Sequence, residues 1–295
     1  MHGLSVPRSA LLSEGAIPGD LPAQVSAALR EDVGSGDVTA ALVPAQQRVS
    51  GEVITREEAV VCGLPWVAET FRQLDREVAV SFAVSEAERA RPGATLFRVA
   101  GPARPILTGE RTALNFLQLL SGTATEARRF VDAISGTHCV ILDTRKTIPG
   151  LRTAQKYAVR CGGAHNHRMG LFDQVLIKEN HIAAAGSLTG AIRAARASSP
   201  GVPVECEVES LSELEEALLA LPDTIMLDEF SLDDMRRAVA RTRAAGGAIK
   251  LEASGSVTLD NVRAIAETGV DFVSVGSLTK HVRAVDLSMR LQFEG

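Results

Sequence analysis

Residues 139–146 read Cys-Val-Ile-Leu-Asp-Thr-Arg-Lys, four apolar residues followed at once by four polar ones. So short an apolar run, stopped by ionisable groups, fits a buried strand whose C-terminal end reaches solvent. The same texture returns along the rest of the chain. Gln174–Ile177 ends at Lys178-Glu179-Asn180, Val202–Val208 carries Glu207 and is followed by Glu209, and Thr224–Leu227 ends at Asp228-Glu229. Ala248–Leu251 leads into Glu252-Ala253-Ser254-Gly255, and Asp271–Val275 into Gly276-Ser277. Between several of these runs lie amphipathic stretches with helical spacing, Leu211–Leu221, Leu232–Ala244 and Thr258–Thr268. The alternation predicts βα units on a parallel sheet. An open doubly wound sheet gathers ligand groups only at its switch point. Polar residues at every strand end favour a β/α barrel, whose strand ends share one rim.

The first part of the chain differs. Val49–Thr55 and Glu77–Val84 alternate like half-buried strands, Pro65–Leu74 and Arg111–Leu120 have helical spacing, and Arg91-Pro92-Gly93 and Ala100-Gly101-Pro102 read as turns. Gly34-Ser35-Gly36 also reads as a turn, because it lacks the spacing and the preceding strand of a dinucleotide loop. These pieces predict a small α/β sandwich with its boundary between 110 and 125. The expected division is an N-terminal α/β sandwich domain at 1–118 and a β/α barrel at 119–281, with 282–295 packing back on the first domain.

A chain of 295 residues, 45% hydrophobic and 23% charged, has the composition of an ordinary globular protein, and 4% aromatics make its core aliphatic. Cys62, Cys139, Cys161 and Cys206 show no CxxC spacing, and two fall inside strand-like runs, so reduced core thiols and a cytoplasmic location are expected. Met1–Asp20 has no basic start followed by a long apolar stretch, and no apolar run approaches the roughly 18 residues of a membrane span. Secretion and membrane insertion are therefore not expected.

Function is written most densely between 144 and 181. Arg145, Lys146, Arg152, Lys156, Arg160, Arg168 and Lys178 lie there against only Asp173 and Glu179, in a chain of net charge −5. A solvated helix face would interleave the two signs, and general nucleic-acid binding would need a basic stripe across a surface. A local cationic pocket for a small anion fits better. Arg145 can grip a carboxylate or phosphate with two parallel bonds, and Lys146, Arg168 and Lys178 add charge. Lys178 could also form a Schiff base or a structural salt bridge. His165-Asn166-His167 contains an HxH, but metal use would need further histidines at later strand ends, and beyond His181 only His281 remains. A hydrogen-bonding His167 beside Arg168 is the expectation. Glu207 and Asp228 end successive strands, where carboxylates commonly hold Mg²⁺ together with a substrate phosphate, or else balance the neighbouring cations. Ser254-Gly255-Ser256 and Gly276-Ser277 are small enough for backbone N–H groups to approach a phosphate, or are tight turns.

Several runs carry a family resemblance. They include Gly36-Asp37-Val38-Thr39, Gly109-Glu110-Arg111-Thr112-Ala113-Leu114-Asn115, Thr144-Arg145-Lys146-Thr147, Asn166-His167-Arg168, Lys178-Glu179-Asn180-His181 and Met226-Leu227-Asp228. Glu252-Ala253-Ser254-Gly255 and Val275-Gly276-Ser277-Leu278-Thr279-Lys280 complete them. With these the sequence resembles the quinolinate phosphoribosyltransferases over nearly its whole length. The resemblance implies an α/β sandwich plus an incomplete, open β/α barrel, and conversion of quinolinate and phosphoribosyl pyrophosphate to nicotinate mononucleotide, pyrophosphate and CO₂ with Mg²⁺, in NAD synthesis. It implies a head-to-tail homodimer with shared active sites, or a hexamer built as a trimer of such dimers. By position, Arg111 would reach the partner's quinolinate, and Arg145, His167, Arg168 and Lys178 would bind the two carboxylates. Lys146 would contact both substrates, Glu207 and Asp228 the ribose and metal, and Ser254, Gly255 and Gly276 the phosphate. Thr144, Ser256, Val275 and Ser277 would lie along the same site. Two positions depart from the family pattern: Glu229, where Asn is usual, and Ala164, where a third Gly is usual. A molybdenum-associated paralogue is disfavoured by the full Lys178–His181 run, and a ligand sensor without activity by the joint presence of Arg145, Lys178, Glu207 and Asp228. A doubly wound phosphoribosyltransferase would need paired acids before a Thr-Thr-Gly loop, which the sequence lacks.

Overall fold

The computed structural model describes residues 17–246 and 248–293, so most of the Met1–Asp20 stretch read for a targeting signal lies outside the described residues. The chain forms two compact units. One comprises 17–128, Thr147–Gly163 and 278–293, the other Arg129–Lys146 and Ala164–Ser277. The chain leaves and re-enters both, so a single cut near 118 does not separate them.

The first unit holds strands β1 (Arg48–Thr55), β2 (Ala59–Val60), β3 (Ala79–Phe82), β4 (Arg89–Ala90) and β5 (Thr95–Pro102). The second holds β6 (Val140–Leu142), β7 (Val175–Ile177), β8 (Val204–Val208), β9 (Thr224–Asp228), β10 (Lys250–Ser254) and β11 (Phe272–Ser274). The last strand, β12 (Leu287–Phe293), returns to the first unit, where an antiparallel sheet runs β12-β1-β5-β3 beside the small pair β2-β4. Val49, Val53, Phe97 and Val99 of this sheet pack with Val67 and Phe71 of helix Leu64–Leu74 and with Ile106 and Leu117 of helix Ala103–Ala133, forming one core of an α/β sandwich.

Two expectations for this unit were too short. The helix read as Arg111–Leu120 extends over Ala103–Ala133, and the turn read at Ala100–Pro102 is the end of β5. Gly109 and Gly122 look like breakers in sequence but are contact points. A methyl group on Gly109 would come within 2.7 Å of Leu74 Cδ1, and one on Gly122 would collide with the Arg283 carbonyl oxygen. Close packing outweighs their helix cost of roughly 1 kcal/mol each.

Glu86 is half-buried in the same unit. Its Oε1 accepts from Gly63 N at 2.8 Å and Leu64 N at 2.6 Å, at the start of helix Leu64–Leu74, and its Oε2 accepts from the Cys161 thiol at 3.8 Å. Burial nevertheless pushes its pKa up to about 7, from 4.5. A carboxyl raised in the folded state stabilises the fold fully below its unfolded value, and that contribution is lost as pH rises towards the folded value. Urea unfolding should therefore show stability falling from pH 4.5 to 7, by on the order of 3 kcal/mol from this group. Glu86→Gln should flatten that fall, and an unchanged slope in the variant would refute the assignment.

The second unit is the β/α part. Its sheet is wholly parallel in the order β6-β11-β10-β9-β8-β7, and the ring suggested by the polar strand ends is not closed: β6 and β7 are the two edges of an open barrel. Register brings every C-terminal end to one side, with Leu142 beside Ser274, Ser254 beside Asp228, and Ile177 beside Cys206. Alternation then sorts the side chains. Ile141, Ile177, Cys206, Ile225, Leu227, Leu251, Ala253 and Val273 are buried on one face, while Glu205, Glu207, Asp228, Glu252, Ser254 and Ser274 occupy the other. Helices Leu188–Ser198, Leu211–Ala220 and Leu232–Ala244 pack in succession, and Ser187, Ser210 and Ser231 each accept a backbone N–H from three residues on. Each cap contributes about 1 kcal/mol and fixes where its helix begins. The stretch read as Thr258–Thr268 is helical only over Val262–Ala266, because Asn261 Oδ1 accepts from Thr258 N and holds the preceding residues in a turn. All four cysteines are buried and unpaired.

Candidate active site

The strand ends of the second unit surround a cavity of about 670 Å³, within the size range of small-molecule sites. Its construction begins at Asp143, the first polar residue after β6, which is fully buried. Asp143 Oδ2 accepts from Asn166 Nδ2 at 2.6 Å, and Oδ1 from the backbone N–H of His167 at 2.9 Å. His165 is itself exposed, but its backbone bridges to β6, donating to Ile141 O at 2.9 Å and accepting from Asp143 N at 3.1 Å. Residues 165–168 are thereby laid along the rim.

His167 then makes the central contacts. Its Nδ1 accepts from Arg168 N at 2.7 Å, so the proton sits on Nε2, which faces Glu205 Oε2 at 2.9 Å and Glu252 Oε2 at 3.5 Å. Both ring nitrogens are thus turned to protein groups, whereas the sequence reading gave His167 to a substrate carboxylate. Gln174 Nε2 donates to Glu205 Oε2 at 2.9 Å, and Arg168 Nη1 donates to Gln174 O at 3.3 Å.

Arg145 and Arg168 line this cavity together. Burial, and next the charge of Arg145, hold the Arg168 guanidinium below its ordinary pKa. Arg145 Nε is buried without a hydrogen-bond partner. Two cations that repel each other, one with an unused donor, are suited to receive an anion. Lys178 and Glu207, read as serving different substrates, are each other's partners: Lys178 Nζ donates to Glu207 Oε2. Glu207, Glu209 and Asp228 each bring one carboxylate oxygen into a group whose members lie within 4.8 Å of one another. An all-oxygen set of this kind suits Mg²⁺, and Glu209 joins the two residues expected from sequence.

The small residues follow. Lys146 passes over Gly276, where an added Cβ would lie 3.1 Å from Lys146 Cδ, and Lys146 N donates to Thr144 Oγ1 at 3.0 Å. Ser254, Gly255 and Ser256 line the opposite wall. Gly255 has φ +99°, and a Cβ there would strike the Glu229 carboxylate, whose Oε1 accepts from Ser256 Oγ at 2.8 Å. Glu229 itself has φ +51°, a left-handed backbone that Asn tolerates more readily than Glu. Ala164 is buried without positive φ, so its methyl group replaces glycine without strain. Neither small-residue loop leads straight into a substantial helix: after Ser256 the next begins at Val262, and Ser277–Lys280 is a single turn. Phosphate contacts here would come from loop N–H groups and hydroxyls. Three expected residues lie off the cavity wall. Val275 is buried and donates to Leu142 O at 2.9 Å, Ser277 is not among the lining residues, and Arg111 belongs to the first unit, beside Asp37 and Thr108. Glu205 and Glu252 were missed as site residues. Their signal was present, as acidic residues inside otherwise apolar strands.

Comparison with known proteins gives consistent matches over both parts of the chain. The family model for the N-terminal domain of quinolinate phosphoribosyl transferase matches residues 37–121, and the model for the C-terminal domain matches 123–290. A carboxylating nicotinate-nucleotide pyrophosphorylase of Mycobacterium leprae is 44% identical over 271 residues, covering 90% of this chain and 94% of that protein. A probable enzyme of the same name from Bacillus subtilis is 40% identical over 260 residues, 88% of this chain and 89% of that one. The solved nicotinate-nucleotide pyrophosphorylase of Francisella tularensis superposes with a TM-score of 0.90 at 46% identity, covering 94% of this chain and 98% of that one.

Proposed function

This chain belongs to the quinolinate phosphoribosyltransferase family, and from that premise we propose how its rim divides the work of a carboxylating nicotinate-nucleotide pyrophosphorylase. The reaction joins quinolinate to phosphoribosyl pyrophosphate and yields nicotinate mononucleotide, pyrophosphate and CO₂, a step of NAD biosynthesis. The observation that carries the assignment of roles is the repelling pair Arg145 and Arg168, with the unused Arg145 Nε. A pyridine dicarboxylate lying against them supplies the missing acceptors. Lys178 exchanges its Glu207 partner for a substrate carboxylate, which leaves Glu207 and Asp228 to the sugar side. Glu207, Asp228 and Glu209 would hold Mg²⁺, which when bound supplies positive charge beside the departing pyrophosphate.

Lys146, stretched over Gly276, reaches the same side and stabilises negative charge on the leaving group. Charge already fixed in place lowers the barrier to the ribosyl cation-like transition state without reorganisation. The ring nitrogen, once joined to the sugar, is cationic, and its charge stabilises the electron pair left on the adjacent ring carbon when CO₂ leaves, until that carbon takes up a proton, so the chain needs no organic cofactor. Ser254, Gly255 and Ser256 receive the sugar phosphate. Arg111 serves the site of a second copy in a head-to-tail homodimer, whether that dimer stands alone or is one of three in a hexamer. The buried, unpaired thiols support a reducing compartment such as the cytoplasm.

The test is product formation from quinolinate, phosphoribosyl pyrophosphate and Mg²⁺, with nicotinate as the competing substrate. Nicotinate leaves one desolvated cation unpaired, at a cost of roughly 3–5 kcal/mol, so kcat/KM should fall by on the order of a thousandfold. Comparable turnover of both pyridines would reject the assignment of the two arginines.

A further inference from the structure

Glu205 on β8 and Glu252 on β10 are 0% and 1% exposed, and both face the Nε2–H of His167. One imidazole proton cannot neutralise two buried carboxylates, and each has one oxygen, Oε1, without a hydrogen-bond partner. Two ionised carboxylates in such a place would repel strongly and would compete with the substrate for Arg168. The surroundings of the two differ. Glu205 Oε2 receives Gln174 Nε2 at 2.9 Å and is nearer to His167, so Glu205 is the better-donated acceptor of the two. Glu252 stands farther from His167 and beside Glu205 and Ser274.

We propose that Glu252 is a positioning residue that stays protonated, donates to Glu205, and so holds His167 and, through it, the backbone of Arg168 in the geometry that grips the substrate dicarboxylate. This rests on the reading of Arg168 as a carboxylate ligand. Burial first, and the Glu205 charge second, push the Glu252 pKa up to about 8, in keeping with a neutral side chain at pH 7. The other charged groups on the cavity wall are the carboxylates Glu207, Asp228 and Glu229 and the cations Arg145, Lys146, Arg168 and Lys178. Ser274, from β11, is uncharged, and β9 presents Met226 opposite Glu252 in the register. Because the raised pKa belongs to a carboxyl, the active form is present below it and is lost as pH rises through it.

The experiment compares the full chain with Glu252→Gln, Glu252→Ala and Glu205→Gln, by steady-state kinetics with both substrates from pH 6 to 9.5. Gln carries the same donor as a protonated Glu and cannot ionise. Glu252→Gln is therefore expected to keep kcat/KM for quinolinate within about threefold at pH 7 and to lose the fall in rate near pH 8. Glu205→Gln removes the anion and should raise KM for quinolinate at least tenfold, about 1.4 kcal/mol, leaving KM for phosphoribosyl pyrophosphate nearly unchanged. Glu252→Ala should resemble it. If Glu252→Gln is as damaging as Glu252→Ala, or keeps the alkaline fall of the parent, the proposal is overturned while the dicarboxylate site stands. Failure of the parent itself to prefer quinolinate over nicotinate would instead remove the reading beneath it.

Discussion

Arg145→Ala is expected to lower kcat/KM for quinolinate by on the order of a thousandfold while leaving the unfolding temperature unchanged or slightly raised. The two parts of this result have one cause. Arg145 keeps a buried Nε without an acceptor and depresses the neighbouring Arg168 by charge repulsion. Removing it relieves that repulsion in the protein alone, but leaves a substrate carboxylate in the same place without its bidentate partner. Such a loss costs roughly 3–5 kcal/mol in a desolvated site. Arg145→Lys should recover only part of the rate, since a compact ammonium cannot present two parallel donors. Steady-state kinetics and thermal unfolding of the two variants decide the matter. A variant that unfolds at much lower temperature, with rate falling only in proportion, would show Arg145 to be structural.

Asp143→Ala should damage both stability and rate. The carboxylate is fully buried and takes the side chain of Asn166 and the backbone of His167, so its removal leaves two donors without acceptors. At about 1–3 kcal/mol for each such donor, the fold should lose roughly 2–6 kcal/mol in urea unfolding. Turnover should fall more than about a hundredfold even where the variant is folded, because a displacement of roughly 1 Å in a positioning group has that effect. Asp143→Asn, which keeps one good acceptor, should fall between. If folded Asp143→Ala retains near-normal kinetics, the strand end does not position His167 and Arg168.

The parallel sheet could be read from the sequence because each strand is an apolar run that stops at a charged or small residue, and that contrast is local. The gathering of cations on one cavity wall was legible for the same reason, as charged residues placed directly after Leu142 and Ile177. What escaped depended on neighbours distant in sequence. The helix was read only over Arg111–Leu120, and what lets it run on through Gly109 and Gly122 is the close packing of side chains and backbone from elsewhere in the chain. The strand ends alone favoured a closed ring, and its openness came only with the family resemblance, since closure depends on whether β6 meets β7 and no residue in either strand records that. His167 was given to the substrate because nothing adjacent announces Glu205 and Glu252, which reach it from two separate strands. The pairing of Lys178 with Glu207 was one of the readings left open for each residue, because no local sign decides between a bound anion and a neighbouring carboxylate.

The place of β12 bears on how the protein is made. β1 lies between β5 and β12, and its residue Gly51 leaves room for Leu291 of β12, so that edge is finished only when the last strand arrives. About 230 residues separate Thr55 from Leu287, and a ribosome adding roughly 5–20 residues per second needs about 12–46 s to supply them. Throughout that interval a nascent chain presents β1 with bare amides along one side, the kind of edge to which another unfinished chain can add. Safe passage through synthesis therefore falls to chaperones or to rapid growth of the β/α unit, and a chain broken off before Leu287 would never shield that edge.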